Sequence, residues 1–484
     1  MLSARRKLRD VYAALDAAES YQDWLAAATA HDEVTGAEAW RCEDESTCYD
    51  APALRQAILR MVKLREDDEG MRLIAALNED LQRNLDDLCD PSLYDGALAG
   101  SKLLVERYLD EVGVALSWLV DADLPGVDDH MRLARFEAAW RVYGRSALLL
   151  SGGATLGFHH LGVVKALMKQ GLLPDILSGA STGAMIASGV CTRNDAELAD
   201  MFADTDQIRL DGLAPVGVLN ALRTGSWLDP DQLYAVLQNN IGDRSFAEAH
   251  AHSGRALNIS VSPTRTRQKP RLLTHLTAPD VQVASAALAS SALPGLFPPV
   301  ELAAKGPDGE VVRYIPGERW VDGSLRGDLP KQRLARLHNV NHFIVSQTNP
   351  HVLPFVRHHG RRGIRPAVAG LVGATVRTQV AYGTELARRA TQTAGPVGIL
   401  AEQAHALVSQ DYRGDIDIHP QFHWALYRKV VSNPTREDLT SFIREGERSV
   451  WPRVAMIRDQ TRVDRVFRDC VARVKARISQ GLKP

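Results

Sequence analysis

Residues 176–187 read Ile-Leu-Ser-Gly-Ala-Ser-Thr-Gly-Ala-Met-Ile-Ala, and this stretch decides how the chain folds. The apolar run predicts a buried strand, the glycine-flanked segment predicts a sharp turn, and the small residues after it predict a helix. Ser181 lies at the apex of the turn, in front of a helix N-terminus whose partial positive charge favours developing negative charge. Gly179 and Gly183 form this nucleophile elbow, where the backbone is tight and leaves little room for side chains.

The G-x-S-x-G pattern alone does not identify a catalytic serine. Glycine and serine are common residues, so an ordinary glycine-rich turn is the competing interpretation. Two further segments change this balance. One precedes Ser181 and is rich in glycine, and the other follows it and contains an aspartate.

A glycine-rich loop lies in residues 148–157, Leu-Leu-Leu-Ser-Gly-Gly-Ala-Thr-Leu-Gly. It follows a predicted strand and precedes a predicted helix over 158–170. Backbone N–H groups at such a turn can hold an anion, which in a serine hydrolase is the tetrahedral oxyanion. A phosphate loop and a plain turn are the alternatives. The Gly-Lys-Ser/Thr of a Walker loop is absent, and Ala154 breaks the G-x-G-x-x-G pattern of a dinucleotide loop.

The aspartate segment is 320–325, Trp-Val-Asp-Gly-Ser-Leu. An Asp-Gly pair after an apolar residue is most often only a turn. A serine nucleophile needs a general base, however, and Asp322 can take its proton if the site raises the pKa of the carboxyl group.

Taken in this order, the three segments resemble a patatin-like acyl hydrolase. Residues 286–299, Ala-Ala-Leu-Ala-Ser-Ser-Ala-Leu-Pro-Gly-Leu-Phe-Pro-Pro, are similar to a specific stretch of that family. The Gly-Gly-Ala-Thr-Leu-Gly loop and the Asp-Gly-Ser sequence depart from most patatins and resemble its triacylglycerol lipase branch, which carries an extra N-terminal helical domain. Further stretches that resemble this branch are 83–85, 93–94, 100–106, 340–350 and 446–452, so the resemblance spans roughly residues 20 to 460.

The resemblance implies a Ser–Asp dyad, with Ser181 as nucleophile and Asp322 as base. It also implies an oxyanion hole formed by the backbone N–H groups around Gly152, Gly153 and Ala154. The expected fold is a patatin-like three-layer α/β/α sandwich with a mainly parallel central sheet, flanked by N- and C-terminal helical regions. No cofactor or metal is expected.

A Ser–His–Asp triad is the alternative, since the chain contains 15 histidines. A structural role is the more common one for a histidine, and the resemblance requires none at the site. We therefore predict a dyad. The histidines considered for a triad are His159, His160, His342 and His419.

Three regions are predicted along the chain. Residues 1–140 show apolar residues at helical spacing, which predicts an N-terminal helical domain. Residues 145–350 alternate strand and helix signals, which predicts the catalytic α/β domain. Residues 351–484 are again mostly helical, and we expect this C-terminal region to pack on the catalytic domain. The predicted strands are 147–150, 176–178, 257–261 and 342–346.

Composition limits the partners and the compartment. The 484 residues are 45% hydrophobic and carry a formal net charge of −2, so no overall field attracts nucleic acid. The sequence contains no 18-residue uncharged apolar run and no apolar core behind its basic start, so neither a transmembrane helix nor a signal peptide is expected. Five scattered cysteines fit a reducing compartment. Together with the lipid substrates that the resemblance implies, these features lead us to expect a cytoplasmic protein, peripheral on a membrane or lipid droplet.

Residues 357–376 form one candidate for that peripheral contact. A dense basic patch is followed directly by an apolar segment, the combination that an interfacial docking element needs. A solvated loop followed by a core helix is the alternative. The sequence does not indicate the oligomeric state.

We expect a serine lipid acyl hydrolase that cleaves carboxylic esters of acylglycerols through an acyl-enzyme. The same site can serve a phospholipase A, a lysophospholipase or a lipid acyltransferase. A non-catalytic lipid-surface binding protein is an alternative from a different class. The presence of Ser181, Asp322 and the glycine loop together argues against it.

Overall fold

The computed structural model describes residues 2–83, 88–265, 268–350, 352, 412–421 and 430–481. Two compact units make up the chain: Met1–Ser146 together with Val450–Pro484, and Ala147–Ser449. The assignment of Val450–Pro484 differs from the predicted C-terminal region 351–484, which was expected to pack on the catalytic domain. The segment 357–376 lies outside the described residues.

Helices alone form the N-terminal part of the described chain, and strands begin at Arg145. In chain order they are α1 (Leu2–Ala17), α2 (Tyr21–Thr35), α3 (Ala37–Cys42), α4 (Ala51–Glu66), α5 (Gly70–Arg83), α6 (Leu103–Asp121), α7 (Asp129–Tyr143), β1 (Arg145–Leu150), α8 (His159–Lys169), β2 (Ile176–Gly179), α9 (Thr182–Cys191), α10 (Asp195–Ala203), α11 (Val218–Thr224), α12 (Pro230–Ile241), α13 (Phe246–Ser253), β3 (Ala256–Pro263), β4 (Arg271–Leu273), α14 (Val283–Ser291), β5 (Ala303–Lys305), β6 (Val311–Arg313), β7 (Trp320–Asp322), α15 (Ser324–Gly327), α16 (Lys331–His338), β8 (Val340–Ser346), β9 (Ile416–Ile418), α17 (Arg436–Val450), α18 (Val454–Gln460) and α19 (Arg462–Gln480).

The first unit is helical, as predicted for the N-terminal region. Its core includes Tyr108 and Val112 of α6, packed in one buried cluster with Phe467 and Val474 of α19. This packing explains the corrected boundary, because the apolar face of α19 is buried against helices of its own unit. No helix in the described ranges has the length and apolarity needed to cross a membrane.

The second unit is built on a seven-stranded sheet with the order β4-β3-β2-β1-β8-β9, and β7 pairs with the far part of β3. Strands β1, β2 and β3 pair in parallel, as do β8 and β9. The predicted mainly parallel sheet is confirmed, and each predicted strand is present with one to three additional residues. Strands β4 and β7 are antiparallel to β3, a feature that the sequence did not predict.

The pairing register determines how far along the strands the two predicted catalytic residues lie. Gly179 pairs with Ile259 of β3, and two residues further along β3, Val261 pairs with Asp322. Ser181 follows Gly179 by two residues, so its level along the sheet is that of Asp322. Both lie at the carboxyl end of the parallel strands, where α/β proteins place their sites.

Helix α8, which follows the glycine loop, is in backbone contact with α17. A Cβ atom at Gly162 would overlap the carbonyl oxygen of Ile443 and lie 2.8 Å from the Cα atom of Gly446. A Cβ atom at Gly446 would in turn overlap the carbonyl oxygen of His159. Only glycine at both positions permits this close crossing.

We expect Gly162→Ala to lower the free energy of unfolding by about 1–3 kcal/mol, because the added methyl group forces α8 away from α17. Gly189→Ala is the matched control. Its Cβ atom would meet only Arg193 at 3.7 Å, an ordinary contact, and alanine favours a helix by roughly 1 kcal/mol. Urea unfolding of both variants checks this. Equal stability of the two variants would contradict the close crossing.

Candidate active site

Ser181 lies at a strained elbow between β2 and α9. Its φ of 54° and ψ of −127° are unfavourable for a residue with a side chain, at about 1–3 kcal/mol. Its backbone N–H donates to Ser290 Oγ at 3.0 Å, and this hydroxyl donates to the Ser260 carbonyl at 2.8 Å. The neighbouring helix α14 therefore helps to hold the strained conformation.

The two glycines of the elbow are required by close backbone contacts. A Cβ atom at Gly179 would overlap the carbonyl group of Gly183, and a Cβ atom at Gly183 would overlap the carbonyl group of Leu150. The Ala180 N–H also donates to the Leu150 carbonyl at 3.3 Å. The first turn of α9 thus lies directly against the end of β1, as the pattern at residues 179–183 predicts.

The Ser181 hydroxyl lies close enough to the Asp322 carboxyl group to lower its pKa. The carboxyl group is only 1% exposed and accepts a hydrogen bond from the Ser324 N–H at 2.7 Å. Burial raises the pKa of Asp322 to about 6, and the neighbouring Ser324 and Ser181 groups limit this rise. A carboxyl group with such a pKa can accept a proton at neutral pH more readily than an exposed aspartate.

The small-residue segment 286–299 holds the backbones of Ser181 and Asp322. Helix α14 is buried along its whole length. Ser290 accepts the hydrogen bond from the Ser181 N–H, while the carbonyl group of Ala292 accepts one from the Asp322 N–H at 3.0 Å. The single helix end therefore connects the backbones of the two residues that the sequence analysis paired.

The peptide group before Gly153 is held in one orientation. The carbonyl oxygen of Gly152 accepts hydrogen bonds from Ser151 Oγ at 2.9 Å and Thr348 Oγ1 at 3.2 Å. Because the peptide is planar and trans, the Gly153 N–H points away from these hydroxyl groups. A Cβ atom at Gly152 would lie 3.5 Å from the Ser181 Cβ atom, so the loop is adjacent to the serine.

The predicted role of Gly152 as an oxyanion donor needs correction. Its backbone N–H donates to a carboxylate oxygen of Asp328 at 2.9 Å, so it is not available to an oxyanion. Within the described part of the chain, the N–H groups of Gly153 and Ala154 have no hydrogen-bond acceptor. Ala154 also lines the cavity beside Ser181. The candidate oxyanion hole therefore reduces to Gly153 and Ala154.

Asp328 is a residue that the sequence analysis missed. It is 1% exposed, and besides the Gly152 N–H it accepts a hydrogen bond from Asn349 Nδ2 at 2.6 Å. Burial raises the pKa of Asp328 to about 7, and the nearby Asp322 charge adds to this effect. Its position six residues after Asp322, beyond the short helix α15, is the available signal. On its own, an aspartate before Leu-Pro resembles an ordinary turn residue.

His160 supports the loop. Its Nε2 atom lies 3.0 Å from the Ser151 carbonyl oxygen, and its Nδ1 atom lies 2.7 Å from Ser346 Oγ. Burial lowers the pKa of His160 to about 4, so the ring is neutral near pH 7. Since the carbonyl group can only accept, we assign the proton to Nε2, and Nδ1 accepts from the Ser346 hydroxyl group.

The other three histidines considered for a triad have different surroundings. His159 is fully buried, and its ring nitrogens have no hydrogen-bond partner among the described residues. Nδ1 of His419 lies 3.2 Å from the Pro420 carbonyl oxygen, and His342 lies in strand β8. The absence of a catalytic histidine remains a prediction.

A cavity of about 580 Å³ opens beside Ser181. Met185 and Gly189 line it at four-residue intervals along α9, so it follows one face of that helix away from the serine. Leu293 and Phe297 contribute further apolar surface, and the charged side chain of Arg193 lies beyond Gly189. The volume is typical of a small-molecule site, and its apolar walls beside the serine fit a hydrocarbon chain.

Two family models match parts of this chain. Residues 148–332 match the family described as patatin-like phospholipase, and residues 1–138 match a domain of unknown function, DUF3336. Triacylglycerol lipase ptl3 of Schizosaccharomyces pombe is 30% identical, with 97% of this chain and 98% of that protein covered.

Two longer relatives are similar over almost the whole chain. Triacylglycerol lipase SDP1L of Arabidopsis thaliana is 34% identical over 94% of this chain and 57% of its own length. Triacylglycerol lipase 4 of Saccharomyces cerevisiae is 31% identical over 95% and 53%. The chain thus spans little more than half the length of these two relatives. Among solved structures, VipD from Legionella pneumophila is 14% identical, with 67% of each chain covered and a TM-score of 0.31.

We expect Asp322→Asn to stabilise the protein at pH 8, by an amount on the order of 1–3 kcal/mol. The pKa of Asp322 is about 6 in the folded state and near 4 when unfolded, so the folded state binds more protons between these values. Stability contributed by this group is therefore lost as pH rises from 4 to above 6. Urea unfolding at pH 5 and pH 8 measures the difference, which should shrink at pH 5.

Ser181→Ala is the control for this measurement. It keeps the buried carboxyl group and removes a hydroxyl group that lowers the pKa of Asp322, so it should not reproduce the pH-dependent gain. If Asp322→Asn raised the free energy of unfolding equally at both pH values, the buried charge would not be the cause of the stabilisation.

Proposed function

Because the chain belongs to the patatin-like phospholipase family, we propose that it is a serine lipid acyl hydrolase that cleaves carboxylic ester bonds of acylglycerols. The observation that carries this proposal is the position of Ser181, which lies beside the buried Asp322 carboxyl group and lines a largely apolar cavity. These features supply a nucleophile, a base and a place for an acyl chain.

In the first step, Asp322 accepts the proton of the Ser181 hydroxyl as its oxygen attacks the ester carbonyl carbon. The carboxyl group lies beside the hydroxyl before the reaction begins, so no diffusion of a base is needed. Proton transfer leaves a neutral carboxyl group, the form that burial favours. The protonated Asp322 then gives this proton to the leaving alkoxide.

The negative charge of the tetrahedral intermediate needs stabilisation during this step. The N–H groups of Gly153 and Ala154 are without acceptors among the described residues and lie in the loop beside Ser181. The N-terminus of α9 adds a favourable dipole. These groups are held before the reaction begins, which is what makes such donors effective.

Hydrolysis of the acyl-enzyme completes the reaction. Asp322 takes a proton from a water molecule, which attacks the acyl carbon, and the proton returns to Ser181 as the fatty acid leaves. The apolar wall along α9 holds the acyl chain. From Ser181 to Gly189 the helix rises about 12 Å, which suits a medium or long chain.

The acylglycerol substrate class is supported by the names of the relatives, three of which are called triacylglycerol lipases. A substrate of this kind is held at a lipid surface, so we propose a cytoplasmic protein in peripheral contact with a membrane or lipid droplet. We also propose residues 145–350 as the catalytic domain, with no cofactor and no nucleic-acid partner.

We expect Ser181→Ala to remove esterase activity and Asp322→Asn to lower kcat by about 10²- to 10⁴-fold. Replacing His160 should reduce activity less than replacing Ser181, because His160 contacts the loop and not the reacting atoms. Turnover of a soluble short-chain chromogenic ester measures these effects, and mass detection of products from triacylglycerol, phospholipid and lysophospholipid emulsions tests the substrate class.

Equal turnover by wild type and Ser181→Ala would overturn the proposed hydrolase function. A histidine replacement as severe as Ser181→Ala, in a folded protein, would overturn the dyad.

The rate should depend on pH through the base. We expect kcat/KM for the soluble ester to fall about tenfold per pH unit below pH 6, because Asp322, whose pKa is about 6, must be ionised to accept a proton. A pH profile between 4.5 and 8 checks this, with unfolding monitored at each pH. A rate that stays constant down to pH 5 would exclude a base with this pKa.

A further inference from the structure

The proposed mechanism leaves one buried carboxyl group near the serine without a chemical step. Asp328 and Asp322 are each 1% exposed, and the charges of the two groups interact. Burying a second carboxyl group beside the first lowers stability unless its bonds are well matched. Its retention at this position calls for a structural reason.

Asp328 accepts hydrogen bonds from two groups that bear on the glycine loop. One oxygen accepts the Gly152 N–H at 2.9 Å, and the other accepts Asn349 Nδ2 at 2.6 Å. A Cβ atom on Gly152 would lie 3.3 Å from Asn349 Oδ1, so the amide also packs on the loop. The Asn349 N–H donates to Gln347 Oε1 at 3.0 Å, which orients the residue after β8.

The loop is therefore held on two successive peptide groups. In the first, His160 contacts the Ser151 carbonyl group and Asp328 holds the Gly152 N–H. In the second, Ser151 and Thr348 hydroxyl groups hold the Gly152 carbonyl group, which turns the Gly153 N–H to the opposite side. Removing the Asp328 bond frees the first peptide to rotate, and this rotation changes the direction of the second.

We propose that Asp328 is a positioning residue of the reaction: its hydrogen bond to the Gly152 N–H directs the Gly153 and Ala154 N–H groups toward the oxyanion formed at Ser181. This inference rests on the proposed hydrolase function and extends it. Asp328 does not replace Asp322 as the base, because its two oxygens accept from Gly152 and Asn349, whereas Asp322 is the carboxyl group whose pKa the Ser181 hydroxyl lowers.

A carboxylate is the side chain that fits these neighbours. Two N–H donors converge on it from different directions, and a carboxylate offers an acceptor oxygen to each. An asparagine would present one oxygen and one NH₂ group, and the latter would face the Asn349 NH₂ group. Exchanging the side chains of residues 328 and 349 places a donor opposite an acceptor again. The exchange should therefore restore activity that Asp328→Asn loses, which provides a test.

The experiment compares Asp328→Ala, Asp328→Asn and the double variant D328N/N349D with wild type, using the soluble ester. Because oxyanion donors act in the transition state, we expect Asp328→Ala to lower kcat by about 10²-fold with KM changed less than threefold. The kcat of Asp328→Asn should lie between those of wild type and Asp328→Ala. The kcat of the double variant should be at least tenfold higher than that of Asp328→Ala. Asp415→Ala is the control for loss of a carboxylate that accepts a backbone N–H. Asp415 accepts the Phe343 N–H at 2.6 Å, toward the other end of the strands, and its removal should leave kcat unchanged.

Two readouts separate positioning from general damage. An alkyl trifluoromethyl ketone forms an oxyanion adduct with a catalytic serine, so its inhibition constant should rise in parallel with the loss of kcat. Hydrogen–deuterium exchange of the peptides that contain residues 150–158 should accelerate in Asp328→Ala but not in Asp415→Ala. Exchange needs no enzyme activity, so it tests the loop even if no ester is cleaved.

The outcomes are distinct. An inactive wild type would overturn the proposed function, while unchanged loop exchange in Asp328→Ala would overturn the positioning role. The role also fails if Asp328→Ala keeps kcat within threefold of wild type, or if kcat falls while the inhibition constant of the ketone stays the same. If Asp328→Ala does not fold, the exchange and kinetic comparisons are made with Asp328→Asn and the double variant, and absence of rescue is then the contradicting result.

Discussion

The close backbone contact between Gly183 and Leu150 is the constraint on which the site depends. It joins the first turn of α9 to the end of β1, where no side chain fits between them. Ser181 and the glycine loop that follows β1 are thereby brought together by main-chain atoms rather than by flexible side chains. Such a site is rigid before any substrate arrives, which is the condition under which fixed dipoles stabilise charge well.

The electrostatic environment of the site opposes the stability of the fold. Two carboxyl groups, Asp322 and Asp328, are buried, and burial raises the pKa of each. Ser181 adds a backbone conformation that its side chain disfavours. The surrounding structure maintains these unfavourable features through bonds from Ser290, Ser324 and Asn349. This distribution agrees with the general observation that active sites reduce stability in exchange for reactivity.

Much of the fold was predictable because its signals are local. The strand-turn-helix pattern at residues 176–187 and the apolar run before Gly152 follow from residue type and spacing, and the parallel strands there were found. Strand β7 has only three residues and was missed, since its partner β3 lies far away in sequence. The packing of α19 with helices of the first unit was missed for the same reason.

The site residues also differ in how far the sequence could predict them. Ser181 and Asp322 stood out through motifs, and the resemblance supplied their pairing. The occupation of the Gly152 N–H could not be predicted, because the acceptor Asp328 reaches it only through tertiary structure. Asp328 has no motif of its own, and its bond to Asn349 joins α15 and β8 segments that are separate in the chain.

The first unit is discontinuous in sequence, and this has a consequence for biosynthesis. Its early helices, including α6, share a buried core with Phe467 and Val474 near the other end of the described chain. A ribosome makes the chain from the N-terminus. The apolar surfaces of these helices therefore stay exposed to solvent after α6 is made, until about 350 further residues have been translated. During that interval the nascent protein exposes a hydrophobic helical surface, and chaperones should bind most to this surface.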